Sequence, residues 1–176
     1  NLIRFRIEEK GLLFSTEIDP KLPAVVNGDE LKLKQIITNL LSNAAKYTEK
    51  GSIKLIMQLK RIQRSYAEIY VAVKDTGIGI RKEDTDKLFS AFDRLDAART
   101  RSIEGTGLGL AITSKMLELM DSKISVDSTY GEGSVFSFVI RQKIVNENAI
   151  GDFDPNTYTT DISKKRQNRI SFTAPD

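Results

Sequence analysis

The strongest constraint on the fold is a pair of period-two runs with a short gap between them. Ile53, Leu55, Met57 and Leu59 alternate with mostly polar neighbours, and Ala67, Ile69, Val71 and Val73 do the same. Successive side chains of a strand point to opposite faces, so each run is a strand with one face buried. The gap around residues 61–65 suits a hairpin, which makes the two strands an antiparallel pair. A half-buried pair needs cover, and helical periodicity lies on both sides of it. Leu33, Ile36, Ile37, Leu40, Leu41, Ala44 and Ala45 recur at i, i+3, i+4 and i+7. They predict an amphipathic helix that starts after Gly28-Asp29, with Asp29 as N-cap, and ends near Thr48, before Gly51. Leu108, Ala111, Ile112, Met116, Leu119 and Met120 predict a second long helix.

The remaining segments are weaker. Residues 1–23 read as an entry segment in which Leu12, Leu13, Phe14 and Ile18 form a strand, ended by Pro20 and Pro23. Residues 81–89 predict a short helix. Residues 90–106 lack periodicity and are rich in Arg, Asp, Ser and Thr, which predicts a long mobile loop of the kind that carries function. Two further strands, 123–128 and 134–142, are joined by the turn sequence Thr129-Tyr130-Gly131-Glu132-Gly133. There is no internal repeat. The sum is an α/β two-layer sandwich, a mixed, largely antiparallel sheet with helices on one face. Helices and strands do not alternate strictly, which argues against a doubly wound sheet. Residues 1–142 form the domain. Apolar periodicity fades after Gln142, so 143–176 read as a linker with Pro155 and a basic patch at Lys164-Lys165-Arg166.

Composition excludes several chemistries. Among 176 residues, 27 are Lys or Arg and 24 are Asp or Glu, a net charge of +3 that does not fit a strongly basic nucleic-acid binder. There is no Cys, hence no disulfide frame, thiolate nucleophile or zinc-thiolate cluster. There is no His, which removes the commonest metal ligand and general base, and any phosphohistidine within the chain. No apolar run reaches the roughly 18 residues that a membrane helix needs. The chain begins at Asn1 without Met or signal peptide, so it is expected to be a piece of a longer protein.

The chemistry is expected at two glycine boxes, Asp75-Thr76-Gly77-Ile78-Gly79-Ile80 and Gly105-Thr106-Gly107-Leu108-Gly109-Leu110. Glycine permits positive φ and close backbone approach, so such loops can aim N–H groups at phosphates. Neither box is a dinucleotide fingerprint or a Walker sequence. A pair of tight turns is the alternative. The second box opens a predicted helix, so residues 107–110 form an N-terminal end with free N–H donors, fed by the Arg-bearing loop. The first box follows a strand and begins with Asp75. An ionised carboxylate only accepts hydrogen bonds, and adenine offers an exocyclic amino donor, so Asp75 suits base reading. The alternative is that Asp75 caps the turn. On the first helix, Asn39, Asn43 and Lys46 lie at i, i+4 and i+7 in one stripe. Mg²⁺ takes hard oxygen ligands from few protein groups plus phosphate and water, which one amide oxygen satisfies, with Lys46 neutralising phosphate charge. A solvated polar face is the alternative. Tyr47 packs either against the nucleotide or against the core.

These elements, in this order, resemble the catalytic ATP-binding domain of sensor histidine kinases, within the wider family of gyrase, heat-shock chaperone, histidine kinase and mismatch-repair ATPases. Residues 35–48, from Gln35 through Asn39, Asn43, Lys46 and Tyr47 to Thr48, are similar to the family's asparagine box. Asp75 to Ile80 resembles the first glycine box, Leu88 to Arg94 (with Phe89 and Phe92) the phenylalanine box, and Gly105 to Leu110 the second glycine box. The resemblance covers roughly residues 10–142 and implies a Bergerat-type ATP fold, with ATP under a lid between the glycine boxes.

The resemblance also implies roles. Asn43 holds Mg²⁺, Asn39 and Lys46 sit near the phosphates, and Asp75 binds the adenine amino group. Gly77 and Gly79 let the backbone pass close to the base, and Gly107, Leu108, Gly109 and Leu110 cradle phosphates. Tyr47, Ile80, Gly105 and Thr106 complete the set expected at the nucleotide. Arg94 aligns the γ-phosphate and is, with Asn39, the expected catalytic residue; Arg99 and Arg101 are weaker lid candidates. Hydrolysing relatives carry a glutamate at the position of Asn39. An amide cannot take a proton as a carboxylate does, so slow hydrolysis and transfer to a partner are expected. That partner is a His on a separate dimerisation and phosphotransfer domain of the same parent. Residues 140–176 resemble the linker preceding a receiver domain in hybrid kinases, so a receiver domain or response regulator is a further expected partner. No nucleic-acid or membrane contact by this chain is expected, and a cytoplasmic location is. Two other readings remain open: an ATP-binding regulatory module without transferase activity, and a related Ser/Thr-directed kinase.

Overall fold

The computed structural model describes residues 2–88 and 108–152. In chain order these form α1 (Leu2–Glu9), β1 (Leu13–Ile18), β2 (Pro23–Asn27), α2 (Glu30–Tyr47), β3 (Ser52–Gln63) and β4 (Tyr66–Asp75). A 3-10 helix follows at Lys82–Lys87, then α3 (Gly109–Glu118), β5 (Ser125–Thr129) and β6 (Gly133–Ala149). The six-stranded sheet has the order β1-β3-β4-β6-β2, with β5 also paired to β6. β1 runs parallel to β3 and every other pairing is antiparallel. The sheet is therefore mixed and largely antiparallel, the architecture that the sequence periodicity predicts.

The two predicted central strands form a long hairpin that turns at Arg64-Ser65, with Ile53 opposite Asp75 and Gln63 opposite Tyr66. Their alternation buries Ile53 on β3 and Ala67, Ile69, Val71 and Val73 on β4, beside Phe136, Phe138 and Ile140 of β6. Helix α2 covers this face with Ile36, Leu40, Leu41, Ala44 and Ala45, and α3 adds Leu117. Each fully buried Leu or Ile contributes roughly 1.5–3 kcal/mol of transfer free energy, so the α2 seam is a main anchor of the layer. The caps of α2 fall where the residue types place them. Asp29 accepts from the Lys32 backbone N–H at 2.9 Å, and the Thr48 N–H closes the last turn on Ala44 O at 3.0 Å.

The structure corrects the expectations at the two ends. Residues 2–9 form helix α1, seated by the fully buried Ile7 and carrying an Arg4–Glu8 ion pair of 2.8 Å on its surface. Its apolar residues show no clean period, and Phe5 is 65% exposed, so the pattern is faint. Pro23 starts a strand instead of ending the entry segment, a position that tolerates proline because β2 is an edge strand. β2 takes its partner from residues 143–149: Asn27 opposes Lys143, Val26 opposes Ile144 and Pro23 opposes Ala149. The folded unit therefore runs past Gln142, where the fading periodicity predicts a linker. The expected loop over 90–106 lies outside the described residues. Among those residues, no helix is long and apolar enough to cross a membrane.

Candidate functional site

The first glycine box leaves the end of β4 and is pinned on two sides. On one side, the Ile78 N–H donates to Tyr47 O at the end of α2, at 3.1 Å. On the other, the Gly131 N–H donates to Ile78 O at 2.8 Å and the Ile80 N–H to Ser128 Oγ at 2.9 Å. Ser128 is itself held by Gly133 O and Ser134 Oγ, each at 2.9 Å. Gly79 has φ +65°, and a Cβ there would run into the carbonyl oxygen of Thr129. A Cβ on Gly77 would meet Tyr47 O. Within the described residues, these glycines make room for protein backbone, whatever further room they leave for a ligand.

Asp75 is 6% exposed and sits beside the first residues of two strands, opposite Ile53 and Ser134 in register. Its Oδ1 accepts from the Gly77 N–H at 2.8 Å. Burial pushes the carboxyl above its ordinary range, and hydrogen bonds from the Gly77 and Ser134 N–H groups oppose that shift. The turn-capping alternative is thus realised in the geometry. It also holds a carboxylate in a low-dielectric corner, where an acceptor is strong.

Helix α2 carries the asparagine stripe against the start of α3. The Asn39 amide donates to Thr113 Oγ1 of α3 at 3.4 Å and accepts from Gln35 Nε2 at 3.0 Å. Asn39 is therefore engaged in joining two helices, a use that its stripe does not reveal. Asn43 is half-buried, with its Nδ2 4.0 Å from where a Cβ on Gly109 would stand, so it lies beside the first turn of α3. That turn starts at Leu108 without a side-chain cap, and a helix N-terminus carries the positive end of the helix dipole. Leu110 packs against the core. The Lys46 ammonium sits 4.9 Å from the ring centroid of half-buried Tyr47. Ile80 also packs on the core, and Arg81 stacks over Tyr130 at 4.8 Å. Arg94, Gly105, Thr106 and Gly107 lie outside the described residues, as do Phe89, Phe92, Arg99 and Arg101.

Sequence reasoning gave Thr48 no role. It is fully buried next to Asp75 and Gly77, and its Oγ1 has no hydrogen-bond partner among the described residues. Nor did residue patterns single out the Ser128–Ser134 pair that anchors Ile80, since serines in a turn region carry no distinguishing signal. Among the described residues, no cluster of three acidic side chains suited to a metal exists.

The mixed α/β domain carries a buried carboxylate at a strand end, an amide-bearing helix and a helix start without a side-chain cap. Residues 28–144 match the family described as histidine kinase-, DNA gyrase B-, and HSP90-like ATPase, and the chain belongs to that family. Hybrid signal transduction histidine kinase B of Dictyostelium discoideum is 39% identical over 145 residues, 82% of this chain and 7% of that relative. A crystal structure of full-length ShkA in complex with AMPPNP superposes with a TM-score of 0.68 at 31% identity, covering 82% of this chain and 28% of that one. The nucleotide-free catalytic domain of histidine kinase ThkA gives a TM-score of 0.61 at 29% identity, covering 81% of this chain and 87% of that domain. The chain thus spans a small part of the multidomain relatives and nearly the whole of an isolated catalytic domain.

Proposed function

We propose that the chain is the ATP-binding catalytic domain of a sensor histidine kinase, one that hands the γ-phosphoryl group of ATP to a His on a separate dimerisation domain. The observation that carries this reading is the buried Asp75 carboxylate at the end of β4, flanked by the Gly77–Gly79 turn and by α2. Its relatives support it, being named as histidine kinases.

In this reading, Asp75 accepts from the adenine amino group while the Gly77 and Gly79 backbone borders the base. The N–H groups at the start of α3 receive phosphate oxygens, joined by Gly105, Thr106 and Gly107. Asn43 supplies its amide oxygen to Mg²⁺, which neutralises phosphate charge when bound with the nucleotide. Lys46 serves the same phosphates after leaving Tyr47, and Arg94 stabilises charge on the transferring group. Asn39 keeps α2 and α3 together through Thr113 and offers no carboxylate to activate water. Transfer breaks the bond between the γ-phosphorus and the bridging oxygen, forms a phosphorus–nitrogen bond to the acceptor imidazole, and releases ADP and the imidazole proton.

The chain itself has no His. With radiolabelled Mg-ATP it binds nucleotide but remains unlabelled and hydrolyses slowly. Addition of a dimeric helical hairpin bearing the His of a related kinase produces acid-labile, base-stable label on that hairpin. Rapid labelling of Ser or Thr in the chain alone would overturn the reading in favour of a Ser/Thr-directed kinase. Tight ATP binding with no label on any matched hairpin points to a regulatory module instead. Segment 143–176 is proposed to lead, beyond the end of β6, to a receiver domain.

A further inference from the structure

The sheet has two faces, and the core uses one. Helices α1, α2 and α3 pack on the face that carries Ile53, Val71 and Phe138. Among the described residues the opposite face has no helical layer, and alternate residues of β3, β4 and β6 point to it. Its middle is two cross-strand rows, Ile56 with Ala72 and Ser137, then Gln58 with Tyr70 and Val139. Cations stand at both ends of these rows. At one end Lys54 lies directly opposite Lys74. At the other, Glu68 sits between Arg61 and Arg141, and Lys143 follows opposite Tyr66. A register shift between Leu59 and Arg61 inserts Lys60, whose ammonium lies 5.5 Å from the Tyr70 ring centroid on this same face.

Within these rows the six cations meet three carboxylates, Glu17, Glu68 and Asp127. That excess is as large as the net charge of the whole chain, +3. Lys54 pairs with Glu17 at 3.4 Å and Arg61 with Glu68 at 2.7 Å. Lys60, Lys74 and Lys143 have no ion pair among the described residues. Folding gives no reason for this arrangement, since like charges directly opposite across two strands, as at Lys54 and Lys74, are destabilising. An apolar middle with a charged rim, carrying Tyr and Arg, is the anatomy of a protein interface.

We propose that this face is a docking surface for an acidic segment of a partner protein. Carboxylates of that segment meet Lys60, Lys74 and Lys143, and its apolar residues lie on Ile56, Tyr70 and Val139. Nucleic acid does not match the face. The Tyr66 and Tyr70 rings are stacked by Arg141, at 4.4 Å, and by Lys60, so they are closed to bases. Glu17 and Glu68 would also face phosphates. Val139 is 37% exposed, so the middle is level and gives a bilayer little to bury. Four strands about 4.8 Å apart, over about eight residues of about 3.3 Å each, span roughly 500 Å². That is the scale of one side of a transient interface. The face lies across the sheet from α2 and α3, so the proposal is independent of the nucleotide reading.

The test uses the full chain and a fluorescein-labelled peptide of about 12 residues, Glu alternating with Leu and Tyr, read by fluorescence anisotropy at about 50 mM salt. The triple variant Lys60→Gln, Lys74→Gln, Lys143→Gln raises the Kd about tenfold, because each exposed charge pair contributes a severalfold factor at most. A control triple, Lys21→Gln, Lys34→Gln, Lys123→Gln, removes the same charge from elsewhere and raises the Kd less than about twofold. Thermal unfolding confirms that both variants are folded. In the NMR spectrum of the wild-type chain, peptide shifts the backbone amides of Ile56, Tyr70 and Val139 and leaves those of α2 in place. Equal losses in the two triples mean attraction to bulk charge and overturn the proposal. A Kd above about 1 mM for the wild type overturns it too, as do shifts centred on α2 and α3. Tighter binding of an oligonucleotide or a phosphatidylserine vesicle than of the peptide, lost with the same three lysines, overturns the choice of a protein partner.

Discussion

Asp75→Asn is the most informative single substitution, because it keeps the shape of the buried corner and changes its hydrogen-bonding character. The carboxylate is 6% exposed and takes N–H donors from Gly77, at 2.8 Å, and from Ser134. An asparagine can keep the Gly77 bond through its one oxygen, but it turns an amino donor toward whatever occupies the other side. A hydrogen bond to a charged partner is worth about 1.5–3 kcal/mol, and a donor left facing a donor adds about 1–3 kcal/mol. The first figure alone converts to roughly a 10- to 150-fold rise in Kd for ATP. Titration calorimetry at neutral pH measures it, with thermal unfolding to confirm a cooperative fold. A pH series adds a second reading. Burial raises the Asp75 pKa, so the folded chain binds this proton more readily than the unfolded one. The stability that it contributes is full below the unfolded pKa and is lost as pH rises through the folded pKa. The ionised form is the one that accepts from adenine. Wild-type affinity therefore falls as the pH drops into that raised range, and the Asp75→Asn chain does not share this component. Protonation of the nucleotide affects both proteins alike and cancels in their ratio. A variant Kd within threefold of the wild type, with a pH-independent ratio, would refute the assignment of Asp75.

Two further outcomes follow from the geometry. Asn43→Ala leaves the fold intact, with a gain of about 0.5 kcal/mol from helix propensity, while removing the side-chain amide beside the start of α3. ADP affinity in EDTA then stays at the wild-type level and the increment produced by Mg²⁺ falls about tenfold, the scale of one ligand bond to a charged group; an unchanged increment assigns the cation elsewhere. Ending the chain at Gln142 instead of Asp152 strips β2 of its partner strand and removes the buried Ile144. That burial alone is worth about 1.5–3 kcal/mol, so Tm measured by calorimetry drops by about 5–10 °C. Equal Tm values for the two chains would return the domain boundary to residue 142.

Much of the layer structure is legible in the sequence because it depends on period. The β3–β4 hairpin and α2 each bury one face over many residues, and the repeated choice of Ile53, Ile69, Val71 and Val73, or of Ile36, Leu40 and Ala44, states the period several times over. β2 and the end of β6 are different. Each is exposed along much of its length, so few positions are constrained to be apolar, and the pairing of Val26 with Ile144 joins residues remote in the chain. Helix α1 is too short to repeat its pattern, and it relies on Ile7 docking into a core that exists only once the sheet is built. Elements stabilised chiefly by tertiary partners leave a weak mark in the sequence.

The same distinction runs through the site. Residue type reports what a side chain can offer, and its partners decide whether the protein has already used it. Asn39 and Asn43 are alike in sequence, four residues apart on one stripe. Yet Asn39 spends its amide on Thr113, 74 residues away, while Asn43 meets the first turn of α3 at a bare glycine. Asp75 realises its turn-capping reading, and capping Gly77 holds the carboxylate in its buried corner. Thr48 is the extreme case. Its signal is a missing partner, which no spacing can encode, because the absence becomes visible only when α2, the glycine turn and β4 have closed around it.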